Sequence, residues 1–351
     1  HRDLHSFPTR RSSDLSALYS FPGGYLSDRL GYKRALAVFN LIAMAGYLVV
    51  ILLPSWWAVI VAAALFLSWS AISLPATMSL VAEVLPDKKR TMGVSLHSLV
   101  RRVPMALGPI VGGLLIAWKG EEAGVRLAFV VAFVLALLAL VLQQLLIEDR
   151  PRAAQAEPNP LRLLHRMTPA FRVLLVSDIL VRFSEQIPYA FMAIWAIKNN
   201  GLSSVQFGLL TTIEMVTAML VYIPVAYLAD RGTKKPFVAI TFGFFTAFPL
   251  LLMLSNRFEL FVLAFIVRGL KEFGEPTRKA LIMDLAPEGQ KAAMFGLYYL
   301  LRDVIVSLAA FASGWLWTLS PQVNFLTAFG FGVLGTLFFL FFGRDVERPK
   351  N

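Results

Sequence analysis

The feature that most limits how this chain can fold is the return, again and again, of uninterrupted apolar stretches about twenty residues long. Ala35–Leu53, Trp57–Val81, Leu127–Ile147 and Phe325–Phe342 are the plainest. As helices rising about 1.5 Å per residue, such runs match a hydrocarbon layer about 30 Å thick. Lipid offers no partner for a backbone N–H or C=O, so only helices and closed barrels cross it. Barrel strands would need segments of about ten residues with apolar and polar positions alternating, and the sequence shows none. The chain is 57% hydrophobic and 16% charged, against about 45–50% and about 25% in soluble domains, so one water-soluble core cannot hide its apolar surface. The fold class expected is an all-α membrane protein.

The formal net charge of +11 raises the question of a nucleic-acid partner, which the positions of the basic residues answer. They gather in alternate short loops: Arg29, Lys33 and Arg34; Lys88, Lys89 and Arg90; Arg231, Lys234 and Lys235; and the longer segment Glu148–Arg172. The loops between carry few, among them Lys119, Arg126, Lys198 and Arg257. Lys and Arg accumulate on the cytoplasmic side of membrane proteins, so this alternation sets a topology and explains the charge without any polyanion. It places the linker and the C-terminus in the cytoplasm, and no nucleic acid is expected. The absence of cysteine excludes disulfides and thiolate metal sites. The four histidines have no metal-ligand spacing.

With loop charge as the guide, the apolar runs predict a partial helix ending near Ser27 and helices over about 35–53, 57–82, 90–118 and 125–147. After a linker at 148–172, six more follow at about 173–197, 205–229, 236–254, 257–285, 291–318 and 323–343. The two sets repeat one pattern. Phe21–Arg34 aligns with Ile223–Pro236, pairing Pro22 with Pro224, Tyr25 with Tyr227 and Asp28-Arg29 with Asp230-Arg231. Nearly the same shift pairs Pro75 with Pro276, Glu83 with Asp284 and Pro86 with Pro287. The comparison leaves one helix missing before Ser16. The polar stretch 1–15 resembles translated adapter sequence and is read as a non-native or disordered tail, the natural protein beginning further upstream.

The segment Gly24-Tyr25-Leu26-Ser27-Asp28-Arg29-Leu30-Gly31-Tyr32-Lys33 resembles the loop after the second helix of the major facilitator superfamily, departing where Tyr32 stands for Arg. The resemblance covers the chain after Leu15. It implies a major facilitator fold of two six-helix halves in parallel pseudo-repeat, with about 11 spans present: an N-terminal half at 16–147, family helices two to six, and a C-terminal half at 173–351, family helices seven to twelve. In that family the loop latches the halves on the cytoplasmic side. The latch role is carried here to Gly24, Asp28, Arg29, Gly31 and Lys33, and more weakly to Asp230 and Arg231 in the second copy. Glycine permits a tight turn, and Asp28 can accept from helix N-terminal amides while Arg29 and Lys33 pair with acids. Gly108-Pro109-Ile110-Val111-Gly112-Gly113 is similar to a motif of drug and metabolite antiporters. Small residues four apart let backbones approach and Pro109 loosens the helix, so Gly108, Pro109, Gly112 and Gly113 are candidates for a pivoting interface. Plain helix packing accounts for them equally well. The arginine those antiporters usually carry in the fourth helix is replaced by Ala62, Ala63 and Ala64.

Ionisable residues well inside predicted helices carry the chemistry. Arg101, Glu185, Glu214, Arg268 and Arg302 fall near mid-membrane, with Arg182, Glu272 and Asp303 close by. Facing lipid would cost each about 2.5–3.5 kcal/mol, so they face one another or a water-filled space, which in this fold lies between the halves. Arg182 and Glu185 are three apart, while Arg268 with Glu272 and Lys271 with Glu275 are four apart, spacings that share a helix face. Glu214 has no basic residue within a turn of its own helix, so it must find a partner on another helix or bind a proton. The arginines suit a solute bearing carboxylate or phosphate, although a salt-bridge network would read the same way. Gly330-x-Gly332-x-x-Gly335 matches a dinucleotide pattern but lies in an apolar helix with no strand before it, which favours helix packing. No Gly-x-x-x-x-Gly-Lys-Ser/Thr loop is present for ATP.

The reading is a secondary active transporter of a bacterial inner membrane, monomeric and multi-pass. It moves a small organic solute by alternating access with a proton or other coupling ion, export by antiport being slightly favoured. Uptake of an organic anion by symport is the alternative. A membrane-embedded hydrolase or a non-transporting receptor would need a catalytic set or a large soluble domain, and neither is visible. No enzyme activity, catalytic residue, cofactor or metal is expected, and the partners are the solute, the coupling ion and the lipid bilayer.

Overall fold

The computed structural model of the chain describes residues 25–27, 29–53, 55–148 and 160–345. The expected tail at 1–15 and the motif residues Gly24 and Asp28 lie outside the described residues. Helices and turns make up the described chain, with no strand among those residues. The helices are α1 Tyr32–Leu52, α2 Trp56–Val84, α3 Arg90–Lys119, α4 Glu121–Leu146, α5 Pro160–His165, α6 Pro169–Tyr189, α7 Ser204–Arg231, α8 Lys235–Leu254, α9 Phe258–Leu270, α10 Glu275–Leu285, α11 Lys291–Leu319 and α12 Pro321–Phe342. Six helical stretches among the described residues, in α1, α4, α7, α8, α11 and α12, are long and apolar enough to cross a membrane. α6 falls outside that set because Arg172, Asp178, Arg182 and Glu185 punctuate it.

Local chemistry sets the helix starts. Thr168 accepts from the Phe171 amide at 3.2 Å and Pro169 follows at the first helical position, which needs no N–H, so α6 begins earlier than its apolar run. Ser203 and Gln206 form a reciprocal capping box at the head of α7. Ser320 with Pro321 repeats the Thr-Pro device at α12.

One predicted helix, 257–285, is broken. α9 stops at Leu270 and α10 starts at Glu275, and the amides of Glu272, Phe273 and Glu275 donate three residues back, to Gly269, Leu270 and Glu272. Pro276 lacks the N–H that would return to the Glu272 carbonyl, and its ring crowds that carbonyl. The Gly274 amide donates instead to Thr241 Oγ1 on α8. Its repeat mate, Pro75, sits inside an unbroken α2, so the proline alone does not force the break. The helix predicted at 173–197 is also interrupted: α6 ends at Tyr189, just past Pro188, and a π turn over Trp195–Asn199 follows, its Asn200 amide reaching the Trp195 carbonyl at 3.1 Å.

The chain forms two compact units. One takes in the chain up to Leu80, Val100–Arg166 and Ala286–Leu301; the other takes in Val81–Leu99, Met167–Leu285 and Arg302 onward. In the first, α1 lies along α4. Asn40 Nδ2 donates to the Ala136 carbonyl at 3.2 Å, and Tyr47, Phe66 and Phe129 form a triangle of rings with centroids 5.5–6.0 Å apart. Tyr32 and Ser79 share a buried hydrogen bond at 2.6 Å. In the second, α12 packs on α6 and α8, and α9 on α7. A Cβ at Gly332 would stand 2.7 Å from Thr246 Oγ1, and one at Gly335 would stand 2.8 Å from the Ser177 carbonyl, so these two glycines of the run are helix-packing positions.

Candidate functional site

The second unit holds a network of ion pairs built on α6, α7, the break between α9 and α10, and α11. It starts from close packing. A Cβ at Gly269 would stand 2.6 Å from Thr217 Cβ and 2.7 Å from the Glu214 carbonyl, so only glycine lets α9 lie this close to α7. That approach brings the neighbouring Arg268 guanidinium onto Glu214, where Nη1 donates to Oε2. Lys271, on the first residue of the break, donates to Glu185 at 2.6 Å and lies 3.5 Å from the other Glu214 oxygen. Glu185 also accepts from Arg182 at 2.7 Å. Arg182 reaches on to Glu275 at 2.9 Å, at the head of α10. Arg278 joins Glu275 and Asp178, and Arg302 on α11 lies 3.6 Å from Asp178 and 2.6 Å from Asp303. Glu272 accepts from the Tyr222 hydroxyl at 2.6 Å.

These groups are withdrawn from the surface: Arg278 is fully buried, Asp178 is 1% exposed and Arg268 is 9% exposed. Aromatic rings line the cations. Arg268 lies 5.8, 5.5 and 5.7 Å from the centroids of Tyr189, Phe248 and Phe265, and Arg182 lies 4.7 Å from Phe245. Phe248 and Phe265 belong to a core cluster with Phe261, Leu252 and Phe325, and Tyr189, Trp195 and Trp317 pack on its edge.

A second polar cluster joins several helix ends of the same unit. α3 has no acidic residue in its first turn, and the Asp230 carboxylate supplies the missing cap, accepting from the Thr91 and Met92 amides at 2.9 and 2.7 Å. Arg90 pairs with Asp284 at 2.7 Å, and Asp284 also holds the buried Lys234. Asp345, beyond α12, accepts from the Lys234 and Lys235 amides at the head of α8, which likewise has no cap of its own.

Of the predicted interior residues, Arg182, Glu185, Glu214, Arg268, Glu272, Arg302 and Asp303 are thus brought together. Arg101 lies on α3 in the first unit and is exposed. The pairing of Arg182 with Glu185 forms as its spacing implies. Those of Arg268 with Glu272 and of Lys271 with Glu275 do not form, because the break removes the helical geometry that a four-residue spacing assumes. Asp178, Tyr222 and Arg278 belong to the network and were not singled out, while Lys271, noted only for its spacing from Glu275, joins it through Glu185 and Glu214. The four-residue spacing of Asp178 and Arg182 is the signal that would have found the first, and the pair lies 3.6 Å apart.

Among the motif residues, Gly31 adopts φ 80°, a left-handed conformation that favours glycine, just before α1. Arg29 is exposed and donates to the Tyr25 hydroxyl at 3.2 Å, and the Lys33 carbonyl accepts from Gln143. Arg231 stacks over Tyr227 at 3.9 Å. Among the described residues, a Cβ at Gly108 or Gly112 would meet nothing within 4 Å. Pro109 and Gly113 share their helix.

Several long apolar helices, together with a set of buried ion pairs in the second unit, define a polytopic membrane protein. The description of the Major Facilitator Superfamily matches residues 15–182 and again 174–351. The chain belongs to that superfamily. It is 26% identical over 216 residues to an MFS-type transporter of Mycobacterium tuberculosis, covering 60% of this chain and 47% of that protein. It is 30% identical over 189 residues to the multidrug efflux pump LfrA of Mycolicibacterium smegmatis, covering 52% of this chain and 32% of the pump. The matched part thus spans about half the length or less of these curated relatives. Among solved structures, the human organic anion transporter MFSD10 superposes with a TM-score of 0.78 at 17% identity, covering 93% of this chain and 82% of that one. The fucose:proton symporter FucP of E. coli gives 0.77 at 12% identity, covering 95% and 90%. At these identities the likeness is one of fold.

Proposed function

We propose that the protein is a secondary active transporter of a bacterial inner membrane, moving a small organic solute by alternating access and coupled to protons. The observation that carries this reading is the Glu214–Arg268 pair: a carboxylate and a guanidinium deep in the helical unit, on different helices, one of them broken beside the pair. Ionisable groups at membrane depth mark ion and substrate paths, and broken helices frame binding sites in transporters. A carboxylate whose partner sits on a separate helix can be neutralised by a proton, and that changes what the partner helix is held to. The arginines favour an organic anion as the solute.

Export of a drug-like solute in exchange for protons is the second reading, favoured by the 30% identity to LfrA. Its other support is the antiporter-like glycine motif at Gly108–Gly113. The cluster of Asp230, Arg90, Asp284, Lys234 and Asp345 is the latch of this reading, on the cytoplasmic side by the charge rule.

Proton movement in liposomes carrying the full-length protein, challenged with organic anions and with lipophilic cations, tests both. Proton flux that depends on an anion and disappears in Glu214→Gln is expected. Flux driven by cations alone would replace the first reading with the second, and flux unchanged in the variant would remove Glu214 from the coupling role.

A further inference from the structure

The surroundings of Arg268 go further than the transport reading on which this inference rests, because they define what the site would take. Glu214 is the one ion-pair partner of Arg268 among the described residues. Three rings also line it: Tyr189, Phe248 and Phe265, each with its centre within 5.8 Å of the guanidinium carbon. The other carboxylates nearby are differently placed. Glu185 is held by both Arg182 at 2.7 Å and Lys271 at 2.6 Å, so Lys271 keeps a partner whatever Glu214 does. Glu272 accepts from Tyr222, on the same helix as Glu214. The charged and titratable groups around Glu214 are therefore Arg268, Lys271 and Glu272 along the broken helix, Glu185 and Tyr189 on α6, and Tyr222 on α7. Of these cations only Arg268 loses its one direct ion pair when Glu214 is neutralised, keeping the longer-range attraction of Glu185.

A guanidinium withdrawn from water with no anion is costly, and three rings offset only part of that cost. A second anion on Arg268 would therefore offset the loss of its direct pair when Glu214 takes up a proton. The planar donor fork of arginine matches a carboxylate in two parallel hydrogen bonds, whereas Glu214 is engaged through Nη1. An incoming acid would also bring its body against the rim of aromatic side chains beside Arg268. Tyr189 is half-buried, and Trp317, stacked on Phe191 at 4.4 Å, packs on the edge of the cluster that holds Phe265.

We propose that Glu214 is an internal stand-in for the substrate's carboxylate: an organic monoanion with an apolar or aromatic body docks on Arg268 as one proton passes to Glu214. The proton neutralises the Glu214 carboxylate, the anion takes over the guanidinium, and the charge of the site is unchanged. Anion and proton travel together, one for one, and the step is electroneutral. By reciprocity, each raises the affinity for the other by the same factor.

Binding to the purified full-length protein tests this, with acetate, benzoate and 3-phenylpropionate as probes and their neutral amides as controls. The aromatic acids should bind, acetate more weakly and the amides not at all. Acid affinity should rise about tenfold per unit fall in pH while Glu214 is ionised, as uptake of one linked proton requires. Glu214→Gln should bind the acids at least about tenfold tighter at neutral pH, because the competing charge is gone, and the pH slope should vanish. Arg268→Lys should weaken binding and Arg268→Gln abolish it. If the arginine variants fail to fold, the gain of affinity in Glu214→Gln decides alone. Amides binding as well as acids, acids indifferent to Glu214→Gln, or no acid binding at all would each overturn the proposal. Accumulation of some other solute under a proton gradient with no acid bound would sink this inference and leave the transport reading standing. Acid binding of the expected pattern with no solute moved would do the reverse.

Discussion

Replacing Asp178 by Asn removes one charge from the most enclosed part of the network and keeps the side chain's shape. Asp178 is 1% exposed and Arg278, which donates to it, is fully buried. Arg182 and Arg302 each lie 3.6 Å away. Taking one member from a buried ion pair costs about 3–5 kcal/mol, because the other charge stays behind without compensation. Arg278 keeps Glu275, to which its Nε donates at 3.1 Å, so the low end applies and about 3 kcal/mol of stability should be lost. Glu122→Gln is the control. Its pair with Arg126 has a similar length, 2.9 Å, but side-chain exposures of 79% and 37%, so the change should cost less than about 1 kcal/mol. Reversible unfolding in mixed micelles with increasing SDS measures both. A sharper contrast comes from Asp178→Leu with Arg278→Met, since replacing both partners by apolar groups of similar volume is often near neutral. The double variant should then be more stable than Asp178→Leu alone. Asp178→Asn within about 1 kcal/mol of wild type, or a double variant worse than the single, would refute the argument that this pair is enclosed and mutually compensating.

Two further perturbations separate the other features. Asp230→Ala should cost about 1–2 kcal/mol, as loss of a helix cap does. Hydrogen exchange should show the Thr91 and Met92 amides losing protection, whereas Asp345→Ala should expose those of Lys234 and Lys235 instead. Gly269→Val should push α9 from α7 and break the Arg268–Glu214 pair, with about 1–3 kcal/mol lost to overpacking and with it the pH-dependent binding of acids. Gly108→Ala, in open space, should leave stability unchanged or raise it by up to about 1 kcal/mol, read in the same unfolding assay.

The helices were legible in the sequence because their signal is composition over twenty residues, and in lipid the backbone has no alternative. The side-chain partners were legible only where they are local. Arg182 and Glu185 pair as their spacing says, since the helix carrying them is intact. The spacing of Arg268, Lys271, Glu272 and Glu275 misleads because Pro276 and the Gly274–Thr241 bond break the helix in between. A proline is visible in the sequence, but Pro75 shows that it settles nothing alone. The break also carries a bond to a hydroxyl on α8, a contact between residues 33 apart in the chain that local spacing does not reveal. The capping role anticipated for Asp28 is seen at Asp230, the copy with the poorer motif. A carboxylate next to free helix amides needs only proximity, and the flanking glycines that make a motif recognisable add nothing to that bond.

The broken helix also explains how the two polar clusters are related. α10 runs 11 residues, about 16 Å at 1.5 Å per residue. Its first residue, Glu275, is bound to Arg182 and Arg278 in the ion network, and Asp284, next to its last, is bound to Arg90 and Lys234 among the helix ends. Packed helices shift as units rather than deform. A change in what holds Lys271 and Glu275 is therefore felt at Asp284 in the second cluster. An unbroken helix would tie that movement to the whole of α9, including the packed face around Phe261 and Phe265. The four-residue break separates α10, tied at its two ends to the two polar clusters, from α9 and its packed core.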